Sequence, residues 1–151
     1  MPGGPVEADE LVLVSHLSPQ APGRKGHPVY LGHLFVEPRR HAAGLADLTE
    51  PEAQAVGLWC TRASRALREV AGAEHVYAAV LSDRVPHLHV HLLARYPGTP
   101  PEFWGLQADE WPGAERGTEP EVAAHVTRLR EYLANCVRDP LQRASPPATV
   151  W

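Results

Sequence analysis

The hydrophobic pattern of the chain predicts four strands and two amphipathic helices. β-Branched and aromatic residues alternate with polar ones, or form short apolar runs, in four segments that we interpret as strands: residues 10–16, 29–37, 75–81 and 87–94. The five residues 82–86 fit a hairpin loop between the last two segments. Residues 18–28 are rich in Pro, Gly and polar side chains, which is typical of a longer loop.

The two helices begin with the same sequence. Thr-Glu-Pro-Glu occurs at residues 49–52 and again at 118–121; in both, Thr can cap the helix, Pro lies in the first turn and the second Glu completes a capping box. Apolar residues follow at helical spacing over residues 56–70 and 122–137. Gly72 is expected to end the first helix.

This order of elements predicts an α+β fold with an antiparallel sheet. We expect a single domain over residues 1–138, with a core at about 10–95 and a C-terminal elaboration at 96–138, followed by a flexible tail at 139–151. Residues 95–117, where the core meets the elaboration, combine several prolines with Phe103, Trp104 and Trp111, which favours an ordered but irregular segment over a disordered linker.

Composition narrows the functional classes. A hydrophobic fraction of 44% and a charged fraction of 21% are typical of a globular protein, and a net charge of −4 argues against a general nucleic-acid-binding surface. No apolar run reaches the ~18–20 residues of a membrane-spanning helix, and the first residues do not resemble a signal peptide. The two cysteines, Cys60 and Cys136, have no CxxC spacing, so we expect reduced thiols in a cytoplasmic protein.

Three of the nine histidines alternate along the last predicted strand. Side chains of a strand point to opposite faces with period two, so His87, His89 and His91 share one face and the intervening apolar residues share the other. The apolar face suits a core, whereas three neighbouring imidazoles do not help folding and would repel one another if all were charged. The pattern therefore indicates a functional role for the three histidines.

On the residues alone, three interpretations of this face remain open. It is a solvated strand face, a metal site, or a nucleophilic histidine between two orienting or proton-donating ones. Imidazole is a common zinc ligand, but no carboxylate or cysteine stands at a telling spacing. The nucleophile is favoured because neutral imidazole titrates near neutral pH and can be held in one tautomer by its neighbours.

The chain resembles the histidine triad family of nucleotidyl hydrolases and transferases over about residues 10–95. Residues 87–93, His-Leu-His-Val-His-Leu-Leu, match the family signature His-φ-His-φ-His-φ-φ at all seven positions, where φ is apolar. Residues 32–41 match the upstream pattern Gly-His-φ-φ-φ-x-Pro-x-x-His, and residues 45–48 match Leu-x-x-Leu. Residues 18–22 are similar to the loop after the first strand in the phosphoramidase branch.

The resemblance implies a HIT-like fold, with an antiparallel sheet of about five strands, a central helix and a C-terminal helix. It also implies a homodimer that binds a nucleotide and needs no metal or other cofactor. His89 would attack the α-phosphate, His87 would contact phosphate or assist the leaving group, and His91 would orient His89. His41 matches a fourth histidine near the nucleophile, whereas His33 stands at a motif position without an assigned role.

Several positions depart from the family pattern. The family's Gly-Gln-Ser/Thr-φ stretch before the triad, which helps bind phosphate and leaving group, lacks its Gln here, and Ser82 or Arg84 is expected to replace it in part. An acidic ribose-binding residue is replaced by His16, followed by Leu17. Further candidates for substrate binding are Arg95, which follows the triad strand, and Trp104, which either lines the pocket or packs against the last helix.

The sequence thus predicts a nucleotide hydrolase that acts on a nucleoside phosphoramidate or a dinucleoside polyphosphate through a nucleotidyl-histidine intermediate. Two alternatives are a nucleotidyl transferase with an acceptor other than water and a non-catalytic nucleotide- or metal-binding module. The small-molecule substrate, rather than a nucleic acid polymer or a membrane, is the expected partner. The natural leaving group and the base preference are left open.

Overall fold

A five-stranded antiparallel sheet forms the centre of the molecule, which is a computed structural model that describes residues 5–138. The strands lie in the order β1-β2-β4-β6-β5, and their bounds are β1 Pro5–Ala8, β2 Val12–His16, β4 His33–Pro38, β5 His75–Val80 and β6 Val90–Arg95. Two short strands, β3 (Val29–Tyr30) and β7 (Arg116–Gly117), pair with each other beside this sheet. The expected α+β fold with about five antiparallel strands is confirmed.

Two long helices, α1 (Glu50–Ala71) and α2 (Glu119–Arg138), cover one face of the sheet. Alternate residues of β4 and β6 face them, because side chains of a strand alternate. The buried core contains Leu34 and Val36 of β4, Val90 and Leu92 of β6, and from the helices Val56, Trp59, Leu67, Leu129 and Leu133. The opposite face of β4 and β6 is therefore left for other side chains.

The helix ends follow the expected capping chemistry. Thr49 caps α1 with its side chain, while the Glu52 carboxylate accepts from the Thr49 backbone N–H at 2.9 Å. Gly72 ends α1 in the left-handed conformation with φ +76°. At α2, the Glu121 carboxylate accepts hydrogen bonds from both the backbone N–H and the hydroxyl of Thr118. Both predicted helices are confirmed.

The predicted strand at residues 29–37 is wrong as a single element. The chain turns at Gly32, where φ is +101°, and divides the segment into β3 and β4. Tyr96 explains this break: its hydroxyl donates to the Leu31 carbonyl at 2.7 Å and occupies the space where a Cβ of residue 32 would lie. The sequence also missed β1 and β7, and β6 begins at Val90, three residues later than expected.

The second face of the sheet is partly covered by residues 96–117. This segment contains two 3₁₀ turns, Pro101–Phe103 and Gly105–Glu110, and it buries a small cluster of Tyr30, Leu93 and Ala108. It is ordered and irregular, as expected. The predicted tail at 139–151 lies outside the described residues. Within residues 5–138, neither helix has the length and apolarity needed to cross a membrane.

Candidate active site

The site forms on the sheet face that the helices do not cover. Phe35 of β4 lies directly opposite His91 of β6 in the strand register. Its ring meets the imidazoles of His89 and His91 edge to face, at centroid distances of 5.8 and 5.0 Å. The rings of His89 and His91 are themselves 4.8 Å apart. An apolar floor thus holds two imidazoles side by side.

His89 is fixed in one tautomer by the backbone of the preceding histidine. Its Nδ1 lies 2.8 Å from the His87 carbonyl oxygen. A carbonyl oxygen can only accept a hydrogen bond, so Nδ1 carries a proton, and in the neutral ring the lone pair is on Nε2. Because His89 precedes β6, its backbone is not committed to the strand ladder and the ring can adopt this position. The free Nε2 is the arrangement that a nucleophilic imidazole requires.

His91 is held from the other side by His33. The distance from His33 Nε2 to His91 Nδ1 is 3.0 Å, and His33 Nδ1 is buried without a partner. A buried N–H without an acceptor is rare in folded proteins, so the favoured arrangement has His33 donate through Nε2 to His91 Nδ1. The proton of His91 is then on Nε2, which makes this histidine a donor toward the cleft.

Burial keeps this histidine pair neutral. It lowers the pKa of His33 to about 3, with a further contribution from the charge of neighbouring His91. Burial also lowers the pKa of His91. Repulsion from His89 lowers it further, whereas the carboxylate of Asp109 raises it. At neutral pH the His33–His91 contact is therefore a hydrogen bond between two uncharged rings.

The side chain of His87 is turned away from His89. Its Nε2 donates to the Pro38 carbonyl oxygen at 3.0 Å, at the end of β4. Its ring stacks on that of His41, with centroids 5.6 Å apart and an interplanar angle of 19°. His41 is exposed, so the pair lies at the rim of the site. The structure therefore places His41 and His87 together, and it joins them to His89 through the His87 backbone.

A cleft of about 320 Å³ opens beside His89 and His91. The loop of residues 81–85, which we call the cleft wall, forms its other side. Arg84 is exposed there and makes no hydrogen bond or ion pair with the described residues. An unpaired guanidinium next to two imidazoles is suited to an anionic group, because Arg recognises phosphate and carboxylate oxygens with several N–H donors.

Comparison with known proteins assigns the chain to a family. A family model described as the HIT domain matches residues 6–98. The chain belongs to the HIT family. The match includes strands β2 to β6, the cleft wall and the histidines 33, 87, 89 and 91. No curated protein matches the sequence.

Solved structures similar to this HIT protein share its fold. A hypothetical histidine triad nucleotide-binding protein from Sulfolobus tokodaii superposes with a TM-score of 0.66 at 19% identity, covering 89% of this chain and 85% of that one. A histidine triad protein from Bradyrhizobium japonicum gives 0.61 at 25%, covering 86% and 90%. The diadenosine triphosphate hydrolase of Plasmodium falciparum, solved with cyclomarin A, gives 0.62 at 10%, covering 88% and 78%.

His16 and Leu17 do not join the site of this HIT protein. His16 is paired with Leu34 in the register, which places it on the face covered by the helices, and its ring contacts His125 of α2 edge to face at 5.5 Å. Both its ring nitrogens are engaged: Nδ1 donates to the Leu17 carbonyl and Nε2 accepts from the Gly32 N–H. Leu17 is also buried.

Arg95, the last residue of β6, lies against Trp104 of the segment that follows. The Arg95 guanidinium stacks on the Trp104 indole at 4.1 Å from the ring centroid and donates to the Tyr77 hydroxyl at 2.8 Å. It also pairs with Glu74 at 3.3 Å. The structure thus assigns these two residues to a packing cluster rather than to the cleft wall.

His33 is the site residue to which the sequence assigned no role. Its signal was present, since the alternating burial of β4 places His33 and Phe35 on the face opposite Leu34 and Val36. The alternation along β4 could have identified His33 as a residue of the site face. The pairing of β4 with β6 was needed to show that this face meets His91.

Proposed function

We propose that this HIT protein is a nucleotide hydrolase in which His89 Nε2 attacks the α-phosphate of a nucleoside phosphoramidate or dinucleoside polyphosphate. The observation that carries the proposal is the hydrogen bond from His89 Nδ1 to the His87 carbonyl, because it leaves Nε2 unprotonated beside the cleft. Family membership supports the same activity. The similar fold of a diadenosine triphosphate hydrolase adds weaker support.

The reaction then proceeds in two displacements. In the first, the Nε2 lone pair forms a bond to phosphorus, and the bond from phosphorus to the leaving atom breaks with its electron pair going to the leaving group, which takes a proton from solvent. In the second, a water oxygen attacks phosphorus and releases a proton to solvent, while the P–Nε2 bond breaks and its electron pair returns to Nε2. Two such steps replace one difficult displacement.

The neighbouring groups stabilise the charge that builds on the phosphoryl oxygens. His91 offers its Nε2–H, and Arg84 offers a guanidinium that has no partner within residues 5–138. Such donors are most effective when they are held in place before the reaction. His87 contributes through its backbone carbonyl, while its side chain remains with Pro38 and His41.

A nucleotidyl transferase is the second candidate, because the same intermediate can pass its nucleotidyl group to an acceptor other than water. The cleft is open to solvent at exposed Leu81 and Val85, which leaves room for an acceptor. A metal-binding module has less support. Within residues 5–138, His, Cys, Asp and Glu side chains form no group of three or more arranged to hold a metal ion.

Mass spectrometry and kinetics test the assignment together. The purified protein is given AMP phosphoramidates and dinucleoside polyphosphates, and we expect a transient nucleotidyl adduct on His89. His89→Ala should lower kcat/KM by about 10³-fold or more. His27→Ala is the matched control, since His27 is an exposed loop residue whose side chain plays no part in the site. Wild-type turnover by the His89→Ala variant would refute the mechanism.

We further propose that the protein acts as a homodimer formed through β5. This strand is an edge of the sheet, so one side of its backbone has no strand partner among the described residues. Val80 exposes 36% of its surface, and a groove of about 440 Å³ runs between α1 and β5. A second copy would pair its own β5 there. Light scattering should then give twice the chain mass, and Val80→Lys should shift it to the monomer.

We also propose a cytoplasmic location. Neither Cys60 nor Cys136 forms a disulfide, and burial raises the pKa of the Cys60 thiol to about 11, which disfavours its oxidation. Fractionation of the source cells tests this proposal. Recovery of the protein with secreted material would contradict it.

A further inference from the structure

A further cavity lies away from the cleft, where the end of α1 meets the middle of α2. Its volume is about 150 Å³, and its lining is mostly polar. Among the described residues, it shares no lining residue with the cleft beside the triad. The side chains that matter for its chemistry are those of Tyr96, Glu115, His125 and Arg128.

Two side chains of opposite charge border this cavity without meeting. Arg128 belongs to α2 and Glu115 directly precedes β7, and no ion pair joins either of them to the other or to another described residue. The guanidinium of Arg128 makes one long contact, in which Nη2 lies 3.4 Å from His125 Nδ1. A ligand that carries both charges would give a partner to the cation and to the anion at once.

His125 adds a donor that the protein leaves unused. Its side chain is 2% exposed, and burial lowers its pKa to about 4, with the charges of His16 and Arg128 acting in the same direction. The ring is therefore neutral at neutral pH. Because Nδ1 accepts from Arg128, the proton is on Nε2, and this buried N–H has no partner among the described residues. Unpaired buried donors are rare in folded proteins.

Other lining groups favour a positive charge. Val70 and Ala71 line the cavity at the end of α1, and the last carbonyl groups of a helix carry a partial negative charge. The carboxylate of Glu115 adds a full negative charge. The Tyr96 hydroxyl donates to the Leu31 carbonyl and keeps its lone pairs for an incoming N–H. The cavity thus offers acceptors for an ammonium group as well as donors for a carboxylate.

The volume limits the ligand to a few non-hydrogen atoms. Since a water molecule takes up roughly 30 Å³ of the liquid, a cavity of about 150 Å³ holds about five groups of that size. Glycine and alanine match this limit, whereas amino acids with long side chains and nucleotides exceed it.

We propose that this cavity binds a small zwitterionic amino acid, with its carboxylate on Arg128 and His125 and its ammonium group on Glu115 and the end of α1. The proposal is independent of the proposed function, because it uses no residue of the cleft. An inorganic anion would leave Glu115 unpaired. A metal ion would be repelled by Arg128, and residues 5–138 contain no group of three or more His, Cys, Asp and Glu side chains arranged to hold one.

Isothermal titration calorimetry with glycine and alanine tests the site. Acetate and methylammonium are the probes that carry one charge each, and leucine is the probe that is too large. We expect one glycine or alanine per chain, bound at least about tenfold more tightly than any of the three other probes. Equal affinity for acetate would mean a plain anion site, and no binding of glycine or alanine would mean that the cavity holds water. Either result would overturn the proposal.

Two exposed substitutions test the assigned charges. Arg128→Gln and Glu115→Gln should each raise Kd for glycine about tenfold or more. Lys25→Gln and Glu131→Gln are the matched controls, since they remove exposed charges that do not border the cavity. All the replaced side chains are exposed, so we expect unchanged Tm values. Wild-type affinity in either Arg128→Gln or Glu115→Gln would refute the assignment.

Imidazole NMR locates the bound amino acid. Glycine should shift the ring signals of His125 and leave those of His89 unchanged, because the cavity and the cleft are separate. A shift of His89 without one of His125 would place the ligand in the cleft and overturn the proposal. These measurements detect binding alone, so their failure leaves the proposed function standing, and turnover that survives in His89→Ala would refute the proposed function without affecting this site.

Discussion

His33 Nε2 and His91 Nδ1 lie 3.0 Å apart, and this contact joins the two central strands at the site. His33 belongs to β4 and His91 to β6, which pair antiparallel. The contact therefore sets the ring of His91 relative to the sheet, and His91 in turn lies beside His89. We therefore expect His33 to act on the proposed reaction through His91.

His33→Ala should lower kcat about tenfold and change KM little, because the ring of His91 loses the contact that orients it. His33→Gln places an amide that can donate to His91 Nδ1 and should restore part of kcat. Steady-state kinetics of both variants, with Tm measured alongside, checks this. A purely structural role would instead lower Tm and leave kcat per folded molecule unchanged in both.

The buried histidines also predict how stability depends on pH. Burial lowers the pKa of His33 to about 3 and that of His125 to about 4, both below the ordinary histidine value of 6.5. Between these values and 6.5 the unfolded chain binds more protons than the folded one. The free energy of unfolding therefore falls as the pH decreases below about 6.5, by up to about 1.4 kcal/mol per pH unit for each histidine.

Urea denaturation between pH 7 and pH 5 measures this slope. His125→Gln should reduce the slope, because it removes one of the buried histidines that take up a proton when the chain unfolds. The comparison variant is His27→Gln, whose site is exposed in the folded chain. An unchanged slope in His125→Gln would contradict the assignment of His125 as a neutral buried group.

Local pattern and motif were enough to predict the triad, the two capped helices and the α+β class. Alternation revealed that His91 faces away from the core, and the Thr-Glu-Pro-Glu motifs located the starts of α1 and α2. These features depend on residues close in the chain, which is why the sequence reveals them.

Features that depend on distant residues were not predictable in this way. The break at Gly32 follows from contact with Tyr96, and the position of His16 follows from its pairing with Leu34 and its contact with His125. The orientation of His89, which precedes β6, is a further case. Its Nδ1 bonds the His87 carbonyl, and no periodicity reveals that contact.

Gly32 itself supplies a stability prediction. A Cβ at residue 32 would lie 2.4 Å from the Tyr96 hydroxyl oxygen and 2.9 Å from Ala94 Cβ, at a φ of +101°. Gly32→Ala should therefore cost about 2–4 kcal/mol in the free energy of unfolding and also displace His33. Gly57→Ala is the matched control.

Gly57 lies within α1, and a Cβ there meets no atom within 4 Å. Alanine should therefore stabilise the helix by about 1 kcal/mol. Chemical denaturation of the two variants measures both effects. A similar free energy of unfolding for Gly32→Ala and the wild type would mean that the Tyr96 contact does not enforce the turn.

The stacking of Arg95 on Trp104 leads to a prediction that separates packing from substrate binding. Trp104 is 49% exposed, and its indole N–H donates to the Thr99 carbonyl at 3.0 Å. Trp104→Ala should lower the free energy of unfolding by about 1–2 kcal/mol, because the guanidinium of Arg95 loses its aromatic partner, and KM for a nucleotide substrate should not change. Arg95→Lys should be destabilising too, since an ammonium cannot stack as a planar guanidinium does. Denaturation curves and KM values for the two variants decide the matter: a rise in KM at unchanged stability would place Trp104 in the substrate pocket instead, as the sequence alone allowed.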